Sequence, residues 1–178
     1  PRVHPVVGRL RGRGSLSIGR ATQGFVVGDA RLPLEGPHHR VLAVQAGRGV
    51  NCGVEELVAG IQRAASRVAR SHPGAILPVG NLARCGGGDL PWSVSHNSGR
   101  DVDLGFYLAG PGGRQFVPRP LIPVGANGEA SEAGVPARFD VARNWALVRA
   151  LLTDRKLSVQ WMFVSRKLRQ RMLDHAAA

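Results

Sequence analysis

Ser95-His96-Asn97-Ser98-Gly99-Arg100-Asp101-Val102-Asp103-Leu104 puts an imidazole and a carboxylate on either side of a short polar turn. Val102, Leu104, Phe106 and Leu108 then alternate with Asp103, Gly105 and Tyr107, the period of two expected of a strand. On that reading His96 lies just before the turn and Asp103 begins the strand. Gly99 lets the chain fold back between them. Neutral imidazole and carboxylate are both ordinary zinc ligands, and a catalytic zinc takes three protein ligands plus water. The stretch supplies two of the three. Spacing alone is a weak signal, because a plain polar turn, with Asp103 capping a backbone amide and His96 merely exposed, has the same letters.

The string from Ser95 to Asp103 resembles the His-x-x-Gly-x-x-x-Asp motif of the penicillin-insensitive murein endopeptidases, which group with the lysostaphin-type and D-Ala-D-Ala-cleaving zinc peptidases. The likeness runs further, from about Gly14 to about Asp174. Gly14-Ser15-Leu16-Ser17-Ile18-Gly19, Gly24-Phe25-Val26-Val27-Gly28 and Leu32-Pro33 resemble the family's N-terminal segment. Arg143-Asn144-Trp145-Ala146-Leu147-Val148 and Val159-Gln160-Trp161-Met162-Phe163-Val164-Ser165 resemble its later helix and strand. The resemblance implies zinc bound by His96 and Asp103, and a third ligand from a His-x-His pair near the family's C-terminus, whose first histidine is the usual candidate base. This sequence contains no His-x-His; it ends at His175-Ala176-Ala177-Ala178. The expectation is that the catalytic domain continues beyond Ala178. The implied activity is hydrolysis of the D-alanyl–diaminopimelate amide of cross-linked peptidoglycan. The alternative is a non-catalytic wall-binding or regulatory module of the same fold.

Length and charge bound the rest. At 178 residues the chain is expected to form one domain over 14–178, long enough to bury a core, with Pro1 to Arg13 as a basic extended arm. No apolar run approaches the ~20 residues of a membrane helix. The start at Pro1 suggests a processed N-terminus, compatible with a periplasmic or secreted protein. The net charge is +12, and every basic residue except Lys156 and Lys167 is arginine. Such a surface favours polyanions, although G+C-rich coding gives the same arginine count. Neither a groove-reading motif nor aromatic interleaving points to specific nucleic-acid binding. Cys52 and Cys85 lack Cys-x-x-Cys spacing, which leaves one disulfide or two buried thiols.

Along the chain, Gly24 to Val27 and Val41 to Val44 read as short strands, with His38 and His39 solvated in the loop between them. Asn51 is expected to cap a helix. Glu55 and Glu56 would lie in its first turn, and Val54, Leu57, Val58, Ile61, Ala65 and Val68 would form its core stripe. Arg63, Arg67 and Arg70 fall on what reads as a solvated face. Ala75 to Val79 reads as a buried strand, bent or placed at an edge by Pro78. The loop Asn81–Trp92, with Gly86 to Gly88, is expected to wall a cleft beside His96. Arg84 within it is a candidate for a substrate carboxylate. The triple glycine lacks the Lys-Ser/Thr of a phosphate loop.

Gly110 to Gly134 reads as a Gly/Pro-rich insertion or flap. Asp140 is expected to cap a helix with Val141, Trp145, Val148, Leu151 and Leu152 buried. Val159 to Val164 reads as a central strand and Trp161 as a core aromatic. Ser165 caps a last helix buried through Leu168, Met172 and Ala176, with His175 in its final turn. The order of elements gives α+β: a small, largely antiparallel sheet flanked by helices. Ser95 and Ser98 have no Ser-His-Asp context and are not read as nucleophiles.

Overall fold

A computed structural model describes residues 14–178; the expected basic arm, with His4, lies outside them. Among the described residues ten short strands and four α-helices follow one another without regular alternation, the α+β class expected. The strands are β1 Leu16–Arg20, β2 Gln23–Val27, β3 Ala30–Arg31, β4 His39–Val41 and β5 Cys52–Gly53, then β6 Leu77–Val79, β7 Leu108–Ala109, β8 Gln115–Phe116, β9 Glu129–Glu132 and β10 Val135–Phe139. The helices are α1 Ala43–Arg48, α2 Glu55–Ser71, α3 Val141–Leu152 and α4 Arg166–Ala177. β8-β7-β10-β9 form an antiparallel sheet, and β1-β2 and β3-β5 are antiparallel pairs. β4 and β6 pair in parallel.

The core is organised on α2. Leu57, Val58, Ile61, Ala64, Ala65 and Val68 recur at helical spacing and are all buried, against Leu77 and Val79 of β6, Tyr107, and Leu147 and Leu151 of α3. Each fully buried large side chain there contributes roughly 1.5–3 kcal/mol. Asn51 does not cap this helix. Val54 holds that position without a side-chain bond, and the Ser15 hydroxyl accepts from the Glu55 amide. Asn51 is buried instead and donates to Leu32 O at 2.7 Å. The basic face is not simply solvated either. Arg63 Nε donates to Asp154 at 2.7 Å, and Arg67 donates to Ala150 O and the Thr153 hydroxyl.

Asp140 caps α3 through the Arg143 amide at 2.9 Å. The buried face of α3 is Asn144, Leu147, Ala150 and Leu151. Val141, Trp145 and Val148 pack on a second cluster around Phe139, Leu168 and Met172, and Leu152 is exposed. Ser165 caps α4, on which Ala176 is exposed.

Further expectations give way. Strand β4 holds His39, which is buried with Nε2 3.0 Å from Pro33 O, and Ala43 already begins α1, so the strand expected at Val41 to Val44 is displaced. The segment after Asp103 forms a strand only at β7. Before that it meets β6 through one bridge, Val79 to Leu104, because Pro78 has no N–H to extend a ladder. The Gly110–Gly134 stretch is no flap, since it supplies β8 and β9 to the four-stranded sheet. Val159 to Val164 pairs with no strand among the described residues, and Trp161 and Phe163 are 73% and 92% exposed. An apolar run forms a central strand only where neighbours offer both a ladder and cover. Cys52 and Cys85 are joined as a disulfide.

Candidate functional site

The turn that carries His96 is fixed from three sides. Asn97 N donates to Ala21 O at 2.9 Å and its side-chain amide to Thr22 O at 3.1 Å, tying it to the β1–β2 hairpin. Ser17 Oγ donates to Ser98 O at 2.7 Å. The glycine loop closes the second side: Gly88 N donates to Asn97 O at 2.9 Å. A Cβ on Gly87 would lie 2.4 Å from that same oxygen. On the third side Gly99 O accepts from Val54 N, just before α2. The loop therefore packs against the motif, and its glycines serve close backbone approach.

His96 sits in this clamp with φ +72°, a left-handed conformation uncommon outside glycine that calls for a surrounding structure to hold it. It is buried, 3% exposed. Its ring faces two carboxylates. Nδ1 lies 3.1 Å from Asp101 Oδ2, while the His96 amide donates to that oxygen at 2.9 Å. Nε2 lies 3.3 Å from Asp103 Oδ2. Asp103 is held in turn: Asn81 Nδ2 donates to Oδ2 at 2.8 Å, Asp103 N donates to Asn81 O at 2.9 Å, and Gly80 N donates to Asp103 O at 2.7 Å.

Burial alone pulls the imidazole pKa down. The hydrogen bond to Asp103 and the charges of Asp101 and Asp103 outweigh it, and His96 titrates above its ordinary value. For Asp103, burial pushes upward, but the bonds from His96 and Asn81 and the imidazolium charge hold the carboxyl below its usual range. Each group thus favours the charged form of the other.

The same geometry fits two corners of a zinc site. With bonds of roughly 2.0–2.2 Å and a tetrahedral angle, two ligand atoms lie about 3.3–3.5 Å apart, and Nε2 and Oδ2 are 3.3 Å apart. Asp101 on Nδ1 stands where a carboxylate orients the imidazole and raises its basicity in known metal sites. Among the described residues no third His, Cys, Asp or Glu joins His96 and Asp103 within 4.8 Å. His39 is engaged elsewhere, and His175 is exposed on the last turn of α4. A cluster of Asp29, Cys52 and Cys85 has metal-like spacing, but its two sulfurs are bonded to each other and offer no thiolate.

Arg84 is exposed and makes no side-chain hydrogen bond or ion pair among the described residues; its loop reaches the motif through Gly87 and Gly88. Asp101 and Asn81 were not singled out from the sequence. Asp101 had a usable signal, an extra carboxylate inside the motif facing the ring's other nitrogen. Asn81 had none, being 22 residues from the carboxylate that it holds.

The family model described as penicillin-insensitive murein endopeptidase matches residues 17–177. Proteins named penicillin-insensitive murein endopeptidase from Escherichia coli O139:H28 (strain E24377A / ETEC), Escherichia coli (strain K12 / DH10B) and Shigella boydii serotype 18 (strain CDC 3083-94 / BS512) are similar to it. Each is 34% identical over 93 residues, 52% of this chain and 33% of the relative. The match thus spans a third of the length of these relatives.

Proposed function

The chain belongs to the penicillin-insensitive murein endopeptidase family, and on that premise we propose that it is the zinc-binding part of a peptidoglycan endopeptidase. The bond cleaved is the D-alanyl–diaminopimelate cross-link, and the place of action is the periplasm or the cell exterior. Among the described residues no helix is long and apolar enough to cross a membrane.

The observation that carries the reading is the 3.3 Å approach of His96 Nε2 to Asp103 Oδ2, each held from behind. In this reading His96 and Asp103 are zinc ligands. Asp101 keeps the Nδ1 proton and turns the Nε2 lone pair toward the metal. Asn81 orients the Asp103 carboxylate, and the third ligand comes from outside the described residues. Bound zinc supplies Lewis acidity, lowering the pKa of a coordinated water and polarising a carbonyl. The clamp around Asn97 and Gly99 keeps the imidazole fixed, so no reorganisation accompanies the chemistry. In this reading Arg84, exposed on the adjoining loop, pairs with a substrate carboxylate.

A second reading, a wall-binding or regulatory module without catalysis, is favoured by the same two-ligand count among the described residues. The test is release of cross-linked muropeptides from isolated peptidoglycan, alongside binding to the same material. The endopeptidase reading expects cleavage that disappears in His96→Ala. Wall binding with no cleavage by the wild type, or undiminished cleavage by the variant, would overturn it.

A further inference from the structure

The second face of α2 carries a feature unrelated to the His96 centre. Arg63, Ser66, Arg67 and Arg70 recur at i, i+3, i+4 and i+7 on the side away from the core stripe, and Arg155 approaches from the turn after α3. Together they line a cavity of about 530 Å³. Four guanidinium groups and one carboxylate, Asp154, line one concavity, a net of three positive charges. Arginines on a helix usually diverge into solvent to limit their repulsion. Here two are drawn inward and fixed: Arg63 by Asp154 at 2.7 Å, and Arg67 by Ala150 O at 3.0 Å and Thr153 Oγ1 at 2.8 Å. Arg63 Nη2 is enclosed yet makes no hydrogen bond. Arg70 and Arg155 are exposed and have no ion-pair or hydrogen-bond partner among the described residues.

We propose that this cavity is an anion site for a phosphate-bearing ligand of the diphosphate or phosphodiester class. Guanidinium forks match the oxygens of phosphate with paired hydrogen bonds. Three net positive charges call for a ligand that packs several negative charges into a small volume, as phosphates do. The tethers on Arg63 and Arg67 lower the ordering cost of binding, while Arg70 and Arg155 supply the free donors. The concavity opens to solvent, which leaves room for the group that a phosphate esterifies. The site shares no residue with the His96 centre and stands or falls independently of the endopeptidase reading.

The test is calorimetric titration of this chain with inorganic pyrophosphate at roughly 50 mM salt, where screening is modest, with a parallel arm using phosphatidylglycerol vesicles. The expected result is saturable binding that weakens about tenfold or more in the double variant Arg70→Glu/Arg155→Glu. The charge-matched pair Arg114→Glu/Arg169→Glu, both exposed and outside the cavity, should change it less than about threefold. The altered arginines hold no internal bond, so the variants should fold, and Arg70→Ala/Arg155→Ala repeats the test without charge reversal. Loss of vesicle binding in the same variants would identify a lipid headgroup as the source; loss with pyrophosphate alone, a soluble phosphate. Absence of saturable binding in both arms, or equal weakening by the two charge-matched pairs, overturns the proposal.

Discussion

Replacing Gly87 by alanine should damage this protein far more than the same change one residue earlier. Both glycines have left-handed backbones, φ +73° at Gly87 and +83° at Gly86. An alanine there pays about 1–2 kcal/mol of backbone strain, offset slightly and equally by a stiffer unfolded chain. The neighbours differ. A Cβ on Gly86 meets nothing within 4 Å, whereas one on Gly87 meets Asn97 O at 2.4 Å, Phe25 Cα at 2.7 Å and Val26 N at 2.9 Å. All three are backbone atoms that no rotamer change can move. The overpacking adds roughly 1–3 kcal/mol, so Gly87→Ala should cost about 2–5 kcal/mol in total. In a chain of this size that lowers the melting temperature by roughly 4–20 °C, against a typical stability of ~5–15 kcal/mol. Urea denaturation of the two variants isolates the contact. A difference below about 0.5 kcal/mol, the scatter of ordinary surface changes, would refute the clamp between the glycine loop and the His96 turn.

Asp101→Asn should lower zinc affinity about 10–100-fold with both ligands intact, measured by competition with a chromogenic chelator; an unchanged affinity would remove the orienting role from Asp101. Zinc must displace the proton that the two carboxylates hold on His96, so affinity should fall as pH drops through a value above 6.5. The metal-free ion pair has the opposite dependence. Its stabilisation is full between the ordinary carboxyl value of 3.8 and the ordinary imidazole value of 6.5; it is lost as pH rises through the raised His96 pKa or falls through the lowered Asp103 pKa, so removing zinc should shift the pH of maximal stability downward. Cys52→Ser/Cys85→Ser opens a bridge between residues 33 apart. It should cost about 3–4 kcal/mol by the loop-entropy relation, read from urea midpoints against the oxidised wild type. Trp161, 73% exposed, should dominate acrylamide quenching. Trp161→Phe should leave emission that is bluer and less quenchable, and an unchanged quenching constant would contradict the exposed course of Val159 to Val164.

What the sequence revealed, and what it hid, divides along a physical line. The stripe of α2, the Asp140 and Ser165 caps and the His96–Asp103 pair were all legible, because each is written in local spacing or in a contiguous motif. Features that depend on distant partners were not. His39 gives no local hint that Pro33 O awaits it. Asn81 cannot be matched to Asp103 without the bridge from β6. The apolar run at Val159 to Val164 has the composition of a central strand, but composition supplies no partner. Arg63 and Arg67 read as solvated because their off-stripe positions are visible, whereas the turn after α3 that receives them is not.

The most direct measurement is zinc titration of the wild type beside His96→Ala and Asp103→Ala. With His96 and Asp103 as ligands, one zinc binds per chain, and its affinity is about tenfold or more weaker in each variant. Zinc binding that both variants retain undiminished would contradict His96 and Asp103 as the metal centre.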